Sequence, residues 1–171
     1  MKLSLQKNNP IIIKNNLVSR YNDHWQITND SVMGGLSHSK IVSYNEKVIY
    51  SGNVSIENNG GFTSVFTSIE KLDKQWQYVS IRFLGDGNLY QLRVRSQVMG
   101  YELAYKIALK TQANVEQNLR FKLSDFEACF RGRQINQAPP LIAEVITHVG
   151  ILISSKQPLD FTLALYSIEF S

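Results

Sequence analysis

The sequence has 171 residues, with 43% hydrophobic and 19% charged side chains and a formal net charge of +4 at pH 7. This composition is ordinary for one globular domain and argues against intrinsic disorder, and the basic residues form no block of the kind that binds nucleic acid. Cys129 is the only cysteine, which excludes an intramolecular disulfide and a Cys-based zinc site and indicates a cytoplasmic location.

The opening segment, residues 1–13, does not have the pattern of a secretion signal. Its longest apolar run is only Ile11-Ile12-Ile13, and a polar stretch that ends at Pro10 precedes it. No later stretch approaches the ~20 apolar residues that cross a bilayer, so we expect no membrane span.

Further along the chain, turn residues recur at short intervals and the stretches between them alternate apolar and polar side chains, which is typical of β-strands. We predict strands over 47–56, 61–68, 77–84, 89–96, 104–109, 118–123, 148–154 and 161–170. The stretch 141–147 follows two prolines and is read either as one or two helical turns or as a buried strand. The whole chain, 1–171, is therefore predicted to be one all-β domain of the β-sandwich class.

The segment 85–88, Gly-Asp-Gly-Asn, predicts a tight turn between two of these strands. Asp-Gly tolerates the positive φ angles of a type I′ turn, so we expect strands 77–84 and 89–96 to form a β-hairpin. Centring the turn on Asp86 and Gly87 predicts three pairs in the core: Phe83 with Tyr90, Ile81 with Leu92, and Val79 with Val94.

The same register places Arg82, Arg93 and Arg95 together on the other face of the hairpin, with Tyr78 beside them. Guanidinium groups bind carboxylates in pairs of hydrogen bonds and stack on aromatic rings, so this face is a candidate binding surface. The alternative is a solvated outer sheet face without a ligand.

Two loops combine glycines with polar side chains. The first contains Asn29-Asp30-Ser31 followed by Val32-Met33-Gly34-Gly35, and the second is Asn58-Asn59-Gly60-Gly61. Glycine permits unusual backbone angles and close approach, so each loop either binds a ligand or caps one end of the sandwich with its own hydrogen bonds. For the first loop we predict a functional role, with Met33 as a soft apolar contact for a partner.

Recognisable catalytic machinery is absent from the sequence. The three histidines are far apart and none has a second ligand at metal-binding spacing, and no nucleophile elbow, P-loop or His-Glu-x-x-His motif occurs. We therefore expect no enzyme activity, no metal and no cofactor.

The ordered motifs nevertheless resemble a known family. They are Trp25, NDSVMGGLS at 29–37, SGNVS at 51–55, NNGGFTS at 58–64, GDGNLY at 85–90, FKLSDF at 121–126, RGR at 131–133 and GILI at 150–153. Over 25–168 the chain is similar to the complex I intermediate-associated protein family of the thirty-kilodalton type. The resemblance implies a jelly-roll sandwich of the galactose-binding-domain type. The absence of a mitochondrial targeting extension favours a bacterial relative.

Two functions follow from this resemblance. The first is a non-enzymatic assembly factor that binds a protein partner, such as a subunit or assembly intermediate of respiratory complex I (NADH:ubiquinone oxidoreductase). The alternative is a carbohydrate-binding module, since galactose-binding-like domains often present Asn, Arg and aromatic side chains to a sugar. Exposed aromatic rings close to Asn and Arg would favour the second function, and Tyr78 and Tyr90 supply this feature only in part.

Overall fold

The computed structural model describes Asn16, Val18 and residues 24–171, so the predicted absence of a signal in 1–13 lies outside the described residues. Twelve strands account for most of this part of the chain. They are β1 (Gln26–Asn29), β2 (His38–Tyr44), β3 (Lys47–Val54), β4 (Phe62–Ser68), β5 (Tyr78–Leu84), β6 (Leu89–Val98), β7 (Tyr101–Lys110), β8 (Glu116–Lys122), β9 (Glu127–Phe130), β10 (Arg133–Gln134), β11 (Ile146–Ser154) and β12 (Leu159–Phe170).

The strands form two antiparallel sheets, which confirms the all-β class. The seven-stranded sheet has the order β1-β4-β11-β6-β7-β9-β10, and the five-stranded sheet has the order β2-β3-β12-β5-β8. The two last strands in the sequence, β11 and β12, each lie inside a sheet between strands made much earlier. Four single 3-10 turns, Asp30–Met33, Glu57–Asn59, Leu123–Asp125 and Ala143–Val145, lie in the connections.

The core lies between the sheets and is built from the apolar positions of each alternating strand. Ile81 on β5 and Leu92 on β6 are both completely buried, and burying such a side chain stabilises the fold by about 1.5–3 kcal/mol. Aromatic rings fill the centre, where Phe161 lies 4.8 Å from Tyr50 and 6.2 Å from Tyr90 between ring centroids. The predicted core residues of both strands are therefore confirmed.

The predicted hairpin between β5 and β6 is wrong. β5 pairs with β12 and β8 in the five-stranded sheet, whereas β6 pairs with β11 and β7 in the seven-stranded sheet. Segment 85–88 thus carries the chain from one sheet to the other. The apolar faces of β5 and β6 point into the core whether the two strands form a hairpin or belong to opposite sheets. The alternation of apolar and polar residues therefore does not distinguish the two arrangements.

Side-chain hydrogen bonds explain why this segment crosses between sheets. The Asp86 carboxylate accepts from the backbone N–H of Asn88 at 3.0 Å, the hydroxyl of Tyr90 at 3.0 Å and the backbone N–H of Thr162 on β12 at 2.7 Å. Thr111, just after β7, donates to the Asn88 carbonyl at 2.7 Å. These partners come from both sheets. Their hydrogen bonds fix the crossing segment, and they replace the backbone hydrogen bonds that a hairpin would have formed.

The predicted strand positions agree with β3 to β8, β11 and β12, whereas β1, β2, β9 and β10 were not predicted. The stretch 141–147 contains the short turn Ala143–Val145 and then enters β11. No helix in the part of the chain that the structure describes is long and apolar enough to span a membrane.

Candidate functional site

The carboxylate of Asp30 is the centre of the loop at 29–37. Asp30 is completely buried, and it accepts hydrogen bonds from four donors. The Ser37 backbone N–H lies 3.0 Å from Oδ1, and three donors meet Oδ2: the Ser37 hydroxyl at 2.5 Å, the Gly61 N–H at 2.6 Å and the Phe62 N–H at 3.2 Å. This one side chain therefore ties the 29–37 loop to the 58–61 loop and to the start of β4.

These hydrogen bonds also set the charge state of Asp30. Burial on its own raises the pKa of this carboxyl, but the bonds from the Ser37 hydroxyl and from the N–H groups of Gly61, Phe62 and Ser37 outweigh burial and lower the pKa below its usual value. Asp30 is consequently ionised at neutral pH, and its charge strengthens each bond that it accepts.

The conformation of both loops depends on glycines that approach Asp30 closely. A Cβ atom on Gly35 would lie 2.4 Å from the Asp30 carboxyl carbon, and a Cβ atom on Gly60 would lie 2.6 Å from Asp30 Oδ2. Larger side chains at either position would displace the carboxylate. One glycine of each motif, Gly35 in the first and Gly60 in the second, is thus explained by a buried aspartate, without a ligand.

Asn29 joins a second polar network beside Asp30. Its side-chain oxygen accepts from the hydroxyls of Ser39, at 3.1 Å, and Thr63. The Thr63 hydroxyl is also 2.9 Å from the hydroxyl of Tyr50, and burial raises the pKa of Tyr50. Asn29 therefore has a structural role, linking β1, β2, β3 and β4.

The opposite side of the 29–37 loop is apolar and exposed. Val32, Met33 and Leu36, which we call the apolar tip, expose 72%, 66% and 52% of their surface. Gly34 provides the left-handed turn between them, with φ at 85°, and its N–H bonds to the Ser31 carbonyl at 3.0 Å. Ser31 is exposed, and its backbone carbonyl holds this turn. Met33 is exposed, as a partner contact requires.

The segment that leads into the 58–61 loop adds one apolar residue, Ile56, near the tip. The Ser37 hydroxyl accepts from the Ser55 N–H at 2.8 Å, which brings Leu36 and Ile56 to neighbouring backbone positions. Ile56 exposes 42% of its surface. Asn58 itself is exposed and occupies the left-handed region at φ 55°, which Asn tolerates better than most residues, so its identity is explained by backbone conformation.

The predicted arginine surface is not formed, because the hairpin that would have created it does not exist. Tyr78 and Arg82 lie on the outer face of the five-stranded sheet, whereas Arg93 and Arg95 lie on the outer face of the seven-stranded sheet. The core of the sandwich separates the two pairs. The expectation that these four side chains form one binding face is wrong.

On the five-stranded sheet, both candidate residues have partners within the chain. Arg82 is 3.5 Å from the Glu116 carboxylate and its guanidinium lies 5.2 Å from the ring centroid of Tyr166. The guanidinium of Arg120 lies 3.9 Å from the ring centroid of Tyr78 and covers it. These contacts leave neither side chain in the arrangement expected for stacking against a ligand.

On the seven-stranded sheet, Arg93 and Arg95 have different surroundings. The Nε atom of Arg93 donates to the Gln91 side-chain oxygen at 2.8 Å, and the guanidinium of Arg95 lies 4.1 Å from the ring centroid of Phe66. Lys106 stands directly opposite Arg93 on β7. The sequence indicated both arginines but not Lys106, because nothing in it shows that β6 and β7 place these positions side by side.

Sequence reasoning also missed three of the four apolar residues near the first loop. Val32 and Leu36 flank the predicted Met33, so their position beside the glycines was an available signal, whereas Ile56 is brought close only by the contact of Ser37 with Ser55. Within the described residues, no three His, Cys, Asp or Glu side chains group closely enough to hold a metal ion.

Comparisons with known proteins bear on both the fold and the family. The family described as Complex I intermediate-associated protein 30 matches residues 16–165. No curated protein matches the chain.

Solved structures match at the level of the fold. The family 11 carbohydrate-binding module of a cellulosomal cellulase of Clostridium thermocellum has a TM-score of 0.62 and 13% identity, covering 84% of this chain and 88% of that one. A family 30 carbohydrate-binding module has a TM-score of 0.53 and 16% identity, covering 78% and 73%. These likenesses confirm the predicted jelly-roll sandwich of the galactose-binding-domain type.

Proposed function

Because the chain belongs to the Complex I intermediate-associated protein 30 family, we propose that it is a non-enzymatic assembly factor that binds a subunit or assembly intermediate of respiratory complex I. The partner contact is the apolar tip, Val32, Met33 and Leu36, with Ile56 beside it. The observation that carries this proposal is the strong exposure of three apolar side chains within residues 32–36, on a loop whose base is held by four hydrogen bonds to Asp30.

The physical argument rests on preorganisation. Exposed apolar clusters favour contact with another apolar surface, and a rigid loop loses little conformational entropy when it binds. Asp30 holds the loop in one conformation before any partner arrives, while Met33, an unbranched and polarizable side chain, adapts to surfaces of different shape. An incompletely assembled complex exposes apolar surface of this kind, which the finished complex buries.

A capture experiment with a matched control tests the proposal. The full chain is tagged in its native cell, and complex I subunits that copurify after crosslinking are quantified for the unchanged chain, Met33→Asp and Met99→Asp. Met99 lies in the turn between β6 and β7 and exposes 93% of its surface, so it receives the same charge in a similarly open position. We expect about tenfold less recovery of complex I subunits for Met33→Asp and no change for Met99→Asp.

Two outcomes would contradict the proposal. One is equal recovery of complex I subunits from the two variants, which would place the contact elsewhere. The other is recovery of no complex I subunit from the unchanged chain, which would remove the assembly role itself. Thermal midpoints of both variants should equal that of the unchanged chain, so that lost recovery cannot be attributed to unfolding.

The proposal includes a cytoplasmic location, which is supported by a single, buried cysteine that forms no disulfide. Cell fractionation with compartment markers tests it, and recovery of the chain with periplasmic or secreted proteins would contradict it.

Carbohydrate binding is the less favoured function. Exposed aromatic rings near Asn and Arg would favour it, but of the two predicted rings Tyr90 is completely buried with its hydroxyl on Asp86, and Arg120 covers Tyr78. The likeness to carbohydrate-binding modules is one of fold, which is shared more widely than function. Binding of neutral oligosaccharides to the full chain, measured by calorimetry, would restore this alternative.

A further inference from the structure

We propose that the outer face of the seven-stranded sheet binds a small polyhydroxylated ligand through its anionic group, a phosphate or a carboxylate. The anionic group is bound by Arg93, Arg95 and Lys106, which we call the cationic site. The site is separate from the apolar tip and does not depend on the assembly role.

Arg93 has a hydrogen-bond partner but no counter-ion among the described residues. Its side chain is half-buried, and the hydrogen bond from Nε to Gln91 holds the guanidinium with its two terminal nitrogens still available. No carboxylate of the described residues reaches ion-pair distance from it. Burial and the neighbouring Arg95 lower the pKa of Arg93, although Cys129 opposes this, and an arginine remains charged after such a shift. A partly desolvated charge without a counter-ion is unfavourable, and a bound anion would supply that counter-ion.

Arg95 is held in place on the same face. Its guanidinium stacks on the ring of Phe66, and Phe66 in turn covers Gly150, where a Cβ atom would lie 2.4 Å from the ring. Arg95 and Arg93 are two residues apart on β6, so both point outward. Two fixed guanidinium groups side by side favour an oxygen anion, which accepts hydrogen bonds from both.

Lys106 adds a third positive charge. It stands opposite Arg93 across the β6–β7 pair, at the spacing at which outward side chains of neighbouring strands interact. Glu127 stands opposite Lys106 on its other side, on β9, but no ion pair joins them. His148, opposite Arg95, has its pKa lowered by burial and by Arg95, although Glu102 opposes this, so it is neutral at pH 7 and adds no charge to the cationic site.

The hydroxyl groups of the ligand are inferred from the depression next to the cationic site. This depression has a volume of about 330 Å³, at the lower end of the range for small-molecule sites. Its lining combines the polar Gln91, Lys106, Asp125 and Glu127 with Leu89, Tyr90, Ile107 and Ala108. The carboxylates of Asp125 and Glu127 accept hydrogen bonds from hydroxyls, whereas they repel a second anionic group. A ligand with one anionic end and several hydroxyls, such as a sugar phosphate or a sugar acid, satisfies both parts.

Calorimetric titration of the full chain tests the proposal with four probes: glucose 6-phosphate, glucuronate, inorganic phosphate and glucose. We expect saturable binding of glucose 6-phosphate or of glucuronate, and the probe that binds identifies the anionic group as a phosphate or a carboxylate. Glucose and inorganic phosphate should each bind about tenfold more weakly than that probe. Arg93→Gln and Lys106→Gln should each lower the affinity for the probe that binds by about tenfold. Arg82→Gln, on the other sheet, should leave binding unchanged.

Three outcomes would overturn the proposal. The first is the absence of saturable binding for both glucose 6-phosphate and glucuronate. The second is equal affinity of the unchanged chain and of both variants of the cationic site for the probe that binds. The third is an affinity for inorganic phosphate equal to the affinity for that probe. Met33→Asp should bind the probe normally, so failure here is distinguishable from failure of the assembly role.

Discussion

The base and the tip of the 29–37 loop show two opposite uses of one short segment. At the base, Asp30 and Ser37 are buried and their polar groups are hydrogen-bonded, while at the tip Val32 and Met33 are apolar and largely exposed. In most loops the polar groups face water and the apolar groups face the protein. The inversion teaches that a loop can be rigid without apolar packing when a single carboxylate organises its backbone.

Removing the charge of Asp30 at the base of the loop is expected to have the largest effect on stability. Asp30→Asn replaces an acceptor of several charge-assisted bonds with a neutral amide whose NH₂ group faces other donors. We expect the free energy of unfolding to fall by about 3 kcal/mol in denaturant titrations. Asp160→Asn is the control, since Asp160 is exposed and accepts from Asn53, and it should cost less than about 1 kcal/mol. Equal losses for both would mean that Asp30 does not organise the loop.

Two adjacent glycines allow the base and the tip of the loop to be tested separately, because Gly35 lies against Asp30 at the base and Gly34 lies in the turn at the tip. Gly35→Ala places a methyl group against the Asp30 carboxylate and should destabilise the domain by about 2 kcal/mol. Gly34→Ala meets no atom within 4 Å, and its cost should be limited to about 1 kcal/mol for a positive φ angle. The comparison of unfolding free energies would contradict the assignment if Gly34→Ala were the more damaging of the two.

Protonating Asp30 is a milder way to weaken the base than replacing it. Because the folded pKa of Asp30 lies below its unfolded value of about 3.8, its stabilising contribution is complete above that pH and is lost as pH falls through the folded pKa. Unfolding free energies measured from pH 5 down to pH 2 should therefore fall more steeply for the unchanged chain than for Asp30→Asn. Parallel pH profiles would show that the folded pKa is not lowered.

The smallest effect on stability is expected at the tip. Met33→Ala removes an exposed side chain, so the unfolding free energy should change by no more than about 0.5 kcal/mol and the thermal midpoint should stay nearly constant. A loss of about 2–5 kcal/mol, typical of a buried methionine, would show that the tip packs against the domain and is not available to a partner.

The strands of this fold were predictable to the extent that their own residues determine them. Alternation identified β5 and β6 and the buried side of each, because a strand with one face in the core must repeat every second residue. Their pairing was not predictable in the same way. It depends on β11 and β12, which lie far away in the sequence, and on Asp86, whose carboxylate bonds across to β12.

The candidate site followed the same division. Met33 was predicted as a partner contact from its place beside Gly34 and Gly35; the structure shows that it is exposed, and the contact itself stays a prediction. The role of Asp30 was not recognisable, because two of its four donors, the N–H groups of Gly61 and Phe62, lie 31 and 32 residues further along the chain. Grouping Arg82 with Arg93 failed for the same reason as the hairpin, and Lys106 becomes a neighbour of Arg93 only once β6 and β7 are paired.

The central positions of β11 and β12 have a consequence for synthesis on the ribosome. β11 lies between β4 and β6, and β12 lies between β3 and β5, so the strands of neither sheet can all be paired until residues 146–170 have emerged. Until then four strands have unpaired edges, and unpaired edges are prone to intermolecular pairing. A chain that stalls before Ile146 therefore exposes the edges of β3, β4, β5 and β6 and is prone to aggregate through them.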